Sequence, residues 1–329
     1  MWASSAGFSL LELIIALVLG LIVMLAAVTM LISAQRMLHS QYALDEVQQH
    51  AYWGLAILTQ DIRQSNFNMP SGGQINNQVN GSGIIFSQAN LPESIQQNIK
   101  DLATQQAYSE AGTLEKSDQL LIQYRPFFQF RQSNQIKQNI KKSYIAGVDC
   151  EGRQIEENAA DVEKAKVIVN RYFVAADPQQ IPNEPTGYSL FCESGWYRPG
   201  DTNIHGLNGG GQQLVKRVEA FKLRLGVQAP DGRLAYMTVN QYQTLMAALV
   251  IDQQPFYQII SIELGFLIRA SMPSTMKSQA DGQKRYMLLD QMVSLSSQQQ
   301  YPYYLRQVVS QVVALRNTQK LQPKAVLNE

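Results

Sequence analysis

An apolar run near the N terminus is the feature that most constrains what this chain can fold into. The 22 residues from Leu13 to Ala34 carry no charge, and Glu12 is the only acid before them. As a helix, the run would extend about 33 Å, enough to cross the hydrocarbon core of a membrane. A secretory signal fits less well, because its apolar region is shorter and follows basic residues. We therefore expect a membrane anchor.

The position of Glu12 allows two interpretations. An acid inside the apolar layer costs about 2.5–3.5 kcal/mol or more. In one interpretation, Glu12 reaches the membrane interface and is an ordinary flank of an uncleaved anchor. In the other, it meets a positive group from a neighbouring helix of the same kind.

The apolar run continues into an amphipathic pattern without a break. Apolar residues recur every three or four positions, as on one face of an α-helix; they are Leu44, Val47, Ala51, Leu55, Leu58 and Ile62. The opposite face is polar, with Asp45, Gln48, Gln49, Gln60 and Arg63. Pro70, followed by Ser-Gly-Gly, is a stop signal. The sequence predicts one helix of about 60 residues, roughly 90 Å long.

The chain beyond residue 70 is typical of a β-rich head. Alternating apolar residues at 221–227 and 260–268 predict half-buried strands. Further strands are predicted at Gly83–Ser87, Gln119–Tyr124, Val167–Val174, Tyr188–Cys192 and Val308–Leu315, with short helices at 93–108 and 239–250. The predicted fold class is α+β, with a long N-terminal helix packed on an antiparallel β-sheet head.

Cysteine usage and the absence of catalytic motifs limit the chemistry. If the head lies outside the cytoplasm, Cys150 and Cys192 are expected to form a disulfide, with two separate buried thiols as the alternative. The sequence contains no metal-ligand spacing, nucleophile elbow or phosphate-binding loop. With 27 basic and 26 acidic residues, no overall charge points to nucleic acid. We expect no enzyme, metal centre or cofactor.

One stretch departs from this balance of charge. Residues 119–148 contain no acid, and their basic residues are Arg125, Arg131, Lys137, Lys141 and Lys142, with aromatic residues between them. We favour a hairpin that buries an aromatic face and leaves the basic side chains in water. An interface with another protein is the second interpretation, and a DNA contact through phosphates and stacked bases is the third.

The motif Gly7-Phe8-Ser9-Leu10-Leu11-Glu12 resembles the prepilin cleavage and methylation motif of type IV pilins and type II secretion pseudopilins. The resemblance implies that a prepilin peptidase cuts between Gly7 and Phe8 and that Phe8 is N-methylated. It also implies that Glu12 pairs with the N-terminal ammonium of an adjacent subunit. Residues 1–7 would be the leader, which holds no Lys or Arg although such leaders usually do. Orientation by the positive-inside rule is therefore unsupported.

The head carries a weaker resemblance to the same class of proteins. The cysteine spacing, the stretch LVKRVEAFKLRLGV and the closing VVALRN resemble PilW-type minor pilins of type IV pili. J-type minor pseudopilins of type II secretion are the first alternative, and an uncleaved membrane-anchored periplasmic binding module is the second. Length favours the pilus protein, since the pseudopilins are usually shorter.

The resemblance implies a structural role in pilus assembly. Such a subunit joins other minor pilins in a complex that primes pilus assembly. Its partners would also include the major pilin and a tip adhesin. The pilus would serve twitching, adhesion or DNA uptake. Its precursor spans the inner membrane once with a periplasmic head, and the assembled pilus is extracellular. Because Glu12 is retained, we expect a position below the tip-most subunit. The implied division is a leader at 1–7, a filament-core helix at 8–34, an amphipathic helix at 35–67 and a head at 70–329.

Overall fold

The structure is a computed structural model, and it describes most of the chain. The described residues are 7, 9–96, 102–108, 117–131, 143–158, 164–180, 182, 184–207, 209–251, 255–273, 285–295 and 304–318. The helices among them are α1 (Leu10–Gln64), α2 (Glu93–Gln96) and α3 (Val239–Ile251). The strands are β1 (Gln105–Tyr108), β2 (Ser117–Tyr124), β3 (Gln129–Arg131), β4 (Ser143–Val148), β5 (Gln154–Asn158), β6 (Val167–Ala176), β7 (Tyr188–Tyr197), β8 (Gln212–Lys216), β9 (Val218–Gln228), β10 (Leu234–Met237), β11 (Gln258–Pro273), β12 (Arg285–Leu288), β13 (Gln291–Ser294) and β14 (Tyr304–Ala314).

Two main antiparallel sheets form the head. The first has the strand order β1-β2-β6-β7-β8, and the second has the order β10-β9-β11-β14. A three-stranded sheet, β3-β4-β5, and the hairpin β12-β13 complete the described strands. The α+β class and the packing of a long N-terminal helix on antiparallel sheet are confirmed.

The main core lies where α1 crosses both sheets. Leu58 and Ile62 of α1 belong to the same apolar cluster as Tyr172 of the first sheet and Phe221 and Phe266 of the second. The last two rings stack with their centroids 5.1 Å apart. Successive side chains of a strand point to opposite faces of its sheet. The apolar side chains on one face of each sheet therefore pack against the helix.

The buried face of α1 is rotated slightly from the predicted one. Ala43 and Gly54 are buried, whereas Leu44 is exposed and Leu55 is only partly buried. The small residues at 43 and 54 allow the helix backbone to approach the sheets closely. The predicted face was based mainly on large apolar side chains and did not include these small residues. The prediction therefore misplaced the centre of the buried face of α1.

The end of α1 comes three residues before the predicted boundary at 67. The backbone of Asn66 has a φ of 66°, which is outside the helical region, and its N–H donates to the carbonyl of Gln123 in β2 at 3.0 Å. The Ser65 hydroxyl donates to the carbonyl of Gly83 at 2.7 Å. Pairing with the head therefore ends the helix before the Pro70 signal is reached.

Two predicted elements near α2 are wrong. Residues 83–87 form no strand; Ile84 makes an isolated bridge to Ile122, and the Asn90 side chain accepts the N–H of Phe86 at 2.9 Å. Of the predicted helix at 93–108, the structure has only Glu93–Gln96 as helix, while 105–108 is β1 and 97–101 lies outside the described residues. Side-chain and tertiary hydrogen bonds outweigh local propensity in both places. Strands were confirmed at 119–124, 167–174, 188–192, 221–227, 260–268 and 308–314, as was the helix at 239–250.

A buried charge cluster joins three strands of the second sheet. Glu219 of β9 accepts a hydrogen bond from Nε of Arg306 in β14 at 2.6 Å, and Nε of Arg269 in β11 lies 3.2 Å from its other oxygen. All three side chains are about 1% exposed, and the Arg269 guanidinium lies 4.3 Å from the centroid of the Tyr304 ring. One carboxylate therefore lies between two buried guanidinium groups and contacts both.

Candidate functional site

The N-terminal turn of α1 holds the residues of the predicted processing and recruitment motif. Ser9 caps the helix: its hydroxyl accepts the N–H of Leu11 at 3.3 Å, and its own N–H donates to Oε2 of Glu12 at 3.0 Å. This reciprocal pair is a capping box. Gly7 is exposed beside it, and Phe8 lies outside the described residues.

The capping box was missed in the sequence analysis, although the signal was present. A Ser followed three residues later by Glu, just before an apolar run, is the sequence signature of this cap. Glu12 therefore has a local role at its own helix N terminus as well as the intersubunit role that the motif implies. Any test of the second role has to keep the first one intact.

The first part of α1 stands clear of the head. Side chains 9–39 are exposed wherever they are described, and the helix is long and apolar enough to cross a membrane. The hydroxyls of Thr29 and Ser33 are satisfied within the helix, since Thr29 donates to the Ala26 carbonyl at 2.8 Å and Ser33 to the Thr29 carbonyl at 2.9 Å. The segment therefore offers an apolar surface to lipid or to other helices.

Two carboxylates of α1 fasten its second half to the head. Glu46 accepts hydrogen bonds from both the N–H and the hydroxyl of Ser271 at the end of β11. Fifteen residues further on, Asp61 accepts the hydroxyl of Tyr172 in β6 at 2.6 Å. One carboxylate thus contacts the second sheet and the other contacts the first.

The backbone of α1 packs closely against the head at Gly54, which faces the side chain of Val215. A Cβ at this position would lie 2.3 Å from Cγ2 of Val215 in β8, which is too close for any real contact. Replacing Gly54 by Val is expected to lower the free energy of unfolding by about 1–3 kcal/mol, because the helix must move off the sheet. Urea unfolding of the full chain in detergent measures this effect.

The control for Gly54 lies on the same helix. Ala56→Val adds bulk on an exposed position and should change the free energy of unfolding by much less. Adding Val215→Ala to Gly54→Val should restore part of the loss, since it removes the clashing methyl groups. Equal effects at positions 54 and 56 would contradict the close contact.

Asp61 gives the attachment of α1 a pH dependence. Burial raises the pKa of Asp61 above its ordinary value, and the hydrogen bond from Tyr172 only partly offsets this. A carboxyl with a raised pKa binds more protons in the folded state. Its contribution to stability therefore rises as pH falls through the folded-state pKa and is complete below the unfolded value of about 3.9.

Comparison with Asp61→Asn isolates this contribution. Asn keeps an acceptor for the Tyr172 hydroxyl but does not titrate in this range. Wild type should gain stability relative to Asp61→Asn as pH is lowered from 7 toward 4, measured by thermal unfolding at each pH. Asp45→Asn, on the exposed face of the same helix, should run parallel to wild type. Parallel curves for Asp61→Asn and wild type would contradict the raised pKa.

The predicted disulfide between Cys150 and Cys192 is present. The Cα atoms are 6.1 Å apart, and Cys192 is fully buried in β7 beside the main core. The turn that carries Cys150 is held by Asp149, whose Oδ1 accepts the N–H groups of Glu151 and Arg153 at 3.0 and 2.9 Å. The bridge thus ties this turn to the central strands of the first sheet.

The basic stretch at 119–148 is described only in part. Lys137, Lys141 and Lys142 lie outside the described residues, as does the side chain of Arg131, and Arg125 is partly buried. Two of the interleaved aromatic residues belong to a buried cluster: Tyr124 is 2% exposed, and Phe128 packs against it. These two rings are consistent with the favoured interpretation of a buried aromatic face, and the partner and DNA interpretations stay predictions.

Two family models of pilins and pilus-assembly proteins match parts of this chain. Residues 2–28 match the family model of the prokaryotic N-terminal methylation motif. Together with the apolar α1, this match indicates a membrane-anchored pilin precursor. Residues 171–317 match the family model described as type IV pilus-assembly protein W, which confirms the resemblance to PilW-type pilins over that part of the head.

One of the solved structures that are similar to this chain is also a pilin. A type IV-like pilin from Thermus thermophilus shares 12% sequence identity with a TM-score of 0.32, over 83% of this chain and 97% of the other. The search of curated proteins found no match.

Proposed function

We propose that this chain is a minor pilin that joins the priming complex of a type IV pilus. The observation that carries the proposal is the division of α1, whose residues 9–39 are exposed and mostly apolar while the head packs only from Ala43 onward. A helix of this kind is stable in a lipid bilayer before assembly and in a core of packed helices afterward. The role is structural and involves no enzymatic step, metal or cofactor.

In this proposal the precursor sits in the inner membrane with its head in the periplasm. The disulfide Cys150–Cys192 supports an oxidising location for the head. A prepilin peptidase cuts between Gly7 and Phe8 and methylates the amine of Phe8. The subunit then leaves the membrane for an extracellular filament, where its head contacts other minor pilins, the major pilin and a tip adhesin.

Glu12 recruits the subunit by pairing with the N-terminal ammonium of a neighbour. Within the described residues, the Ser9 N–H occupies Oε2 of Glu12. The other carboxylate oxygen is available for a second, charge-assisted hydrogen bond. Because a carboxylate in an apolar layer is strongly disfavoured, the arrival of a positive group there is correspondingly favourable. A subunit that keeps this acid is placed below the tip-most position.

Two substitutions at one position separate the local role of Glu12 from the intersubunit role. Glu12→Gln keeps a side-chain oxygen that can accept the Ser9 N–H, since Gln also forms capping boxes, but it removes the charge. We expect both Glu12→Gln and Glu12→Ala to reduce recovery of the subunit in sheared pili to a tenth or less of wild type. Membrane levels of the precursor, measured by immunoblot, should stay unchanged.

Incorporation of Glu12→Gln at the wild-type level would contradict the recruitment role. If Glu12→Ala alone failed to incorporate, the residue would act through the helix cap and not through its charge. The priming role has its own test, because deletion of the gene should abolish surface pili counted by electron microscopy. Normal piliation combined with loss of protein secretion would favour the pseudopilin alternative.

A further inference from the structure

A long open strand lies at one edge of the second sheet. β14 has 11 residues and pairs with β11 on one side, and the described residues supply no strand on its other side. The opposite edge strand, β10, has only four residues. Neither Lys nor Pro occurs within Tyr304–Ala314, although these residues commonly protect exposed edges from pairing with other chains.

The backbone of β14 presents alternate residues to this open edge. The Leu315 N–H donates to the Ile260 carbonyl at 2.9 Å, so Leu315 faces β11. Pairing between 306 and 314 continues in unbroken antiparallel register. Because residues in an antiparallel strand alternate between the two neighbours, the N–H and C=O of Ser310, Val312 and Ala314 point away from β11.

A groove of about 650 Å³ lies between α1 and the C-terminal half of β14, beside this edge. Tyr52, Thr59 and Arg63 line its helical wall, and Gln311 and Arg316 line the side of β14. The span from 52 to 63 on a helix and the span from 311 to 316 on a strand are each about 16 Å. The groove therefore has the length of about five residues of extended chain.

Thr59 points to a partner in this groove. The residue is 6% exposed, and its hydroxyl has no hydrogen-bond partner among the described residues. A buried hydroxyl without a partner is costly, so a movement of Thr59 that turns its hydroxyl toward a polar group in the groove would be favourable. Tyr52, at the other end of the helical wall, is 73% exposed and offers an aromatic surface.

The charges of the groove specify the chemistry of the partner. Arg63 and Arg316 are exposed, and neither forms an ion pair within the described part of the chain. No Asp or Glu is among the residues that line the groove. Two guanidinium groups that have no acid beside them among the described groove residues favour carboxylates, which they can bind in bidentate geometry.

We propose that this groove binds an extended acidic segment of a partner protein, which adds a strand to the free edge of β14. Main-chain hydrogen bonds to the edge supply affinity, and the arginines at one end of the groove select for acidic residues. Asn317 holds the two walls in place, because its side-chain amide donates to the carbonyls of Arg63 and Ser65 at 3.1 and 3.0 Å. The inference concerns the head surface and does not depend on the role of the chain in a pilus.

The test uses the full chain in detergent micelles and two fluorescent peptides. Both alternate Thr and Val, and one carries a Glu pair at each end while the other carries a Lys pair. We expect the acidic peptide to bind and the basic one not to. Arg63→Glu combined with Arg316→Glu should weaken binding of the acidic peptide about tenfold or more, measured by fluorescence polarisation. The matched double reversal Lys216→Glu and Arg233→Glu, on exposed side chains outside the groove, should leave it unchanged.

A proline tests the strand addition separately. Ser310→Pro removes an outward N–H without touching the ladder to β11, and edge strands tolerate proline. It should abolish peptide binding with the thermal stability retained, whereas Ser310→Ala should bind like wild type. Equal binding of both peptides, or normal binding by Ser310→Pro, would overturn the proposal. Self-association of the chain that Ser310→Pro removes would also overturn it, because the occupant would then be a second copy.

Discussion

Replacing Glu219 by Gln is expected to lower the free energy of unfolding by about 3–5 kcal/mol. Glu219 is the carboxylate between Arg269 and Arg306, and all three side chains are almost fully buried. The substitution keeps the shape of the side chain but removes the negative charge that lies between two buried guanidinium groups. Urea unfolding of the full chain in detergent gives the loss directly.

Removal of the whole cluster provides the control. A triple substitution, Glu219→Met, Arg269→Leu and Arg306→Met, removes both signs of charge and should be close to neutral, because apolar replacements of buried ion clusters often are. The triple variant should therefore be more stable than Glu219→Gln alone. If Glu219→Gln unfolded at the wild-type urea concentration, the stabilising role described for Glu219 in this cluster would be wrong.

Loss of the disulfide is expected to cost about 4 kcal/mol at 25 °C. Cys150 and Cys192 are 42 residues apart, and the chain-entropy model relates the stabilisation to the length of the closed loop. The double variant Cys150→Ala and Cys192→Ala removes the bridge without leaving a free thiol in the core. Its urea midpoint should fall well below that of wild type.

Reduction of the wild-type chain gives an independent measure of the same bridge. Wild type in dithiothreitol should approach the midpoint of the double variant, and the double variant should not respond to the reductant. A double variant as stable as oxidised wild type would show that the bridge does not stabilise the head.

Strands and helices with strong periodic patterns could be predicted from the sequence. The alternation at 260–268 marked the centre of β11, and the short helix predicted at 239–250 corresponds to α3. The helix α3 buries one face, as such a pattern predicts. The strand β11 is buried on both faces over most of its length, so the expectation that it is half-buried was wrong. Their ends were less well predicted, because β11 runs from Gln258 to Pro273, where contacts with β9 and β14 extend it.

The structure of segments that are fixed by tertiary hydrogen bonds could not be predicted from a periodic pattern. Residues 83–87 have the composition of a strand, but Asn90 and the backbone of β2 fix them as an irregular loop. The end of α1 likewise depends on contacts that Ser65 and Asn66 make with residues far along the chain. Such contacts exist only after the fold has formed.

The candidate sites differ in how far the sequence could define them. The motif from Gly7 to Glu12 is contiguous, so its resemblance to a processing site was visible without a structure. The groove beside β14 joins residues around 52–64 with residues around 311–316, and no local pattern connects them. Only the packing of α1 against the second sheet brings Arg63 and Arg316 to one groove.

The mature N terminus is the most direct test of the central claim that the chain is a processed pilin. Mass spectrometry of the protein from cells with an active prepilin peptidase should identify a first peptide that begins with N-methylated Phe8. The same protein from cells without the peptidase should retain the bond between Gly7 and Phe8. An intact Gly7–Phe8 bond in both strains would contradict the account and leave an uncleaved membrane anchor.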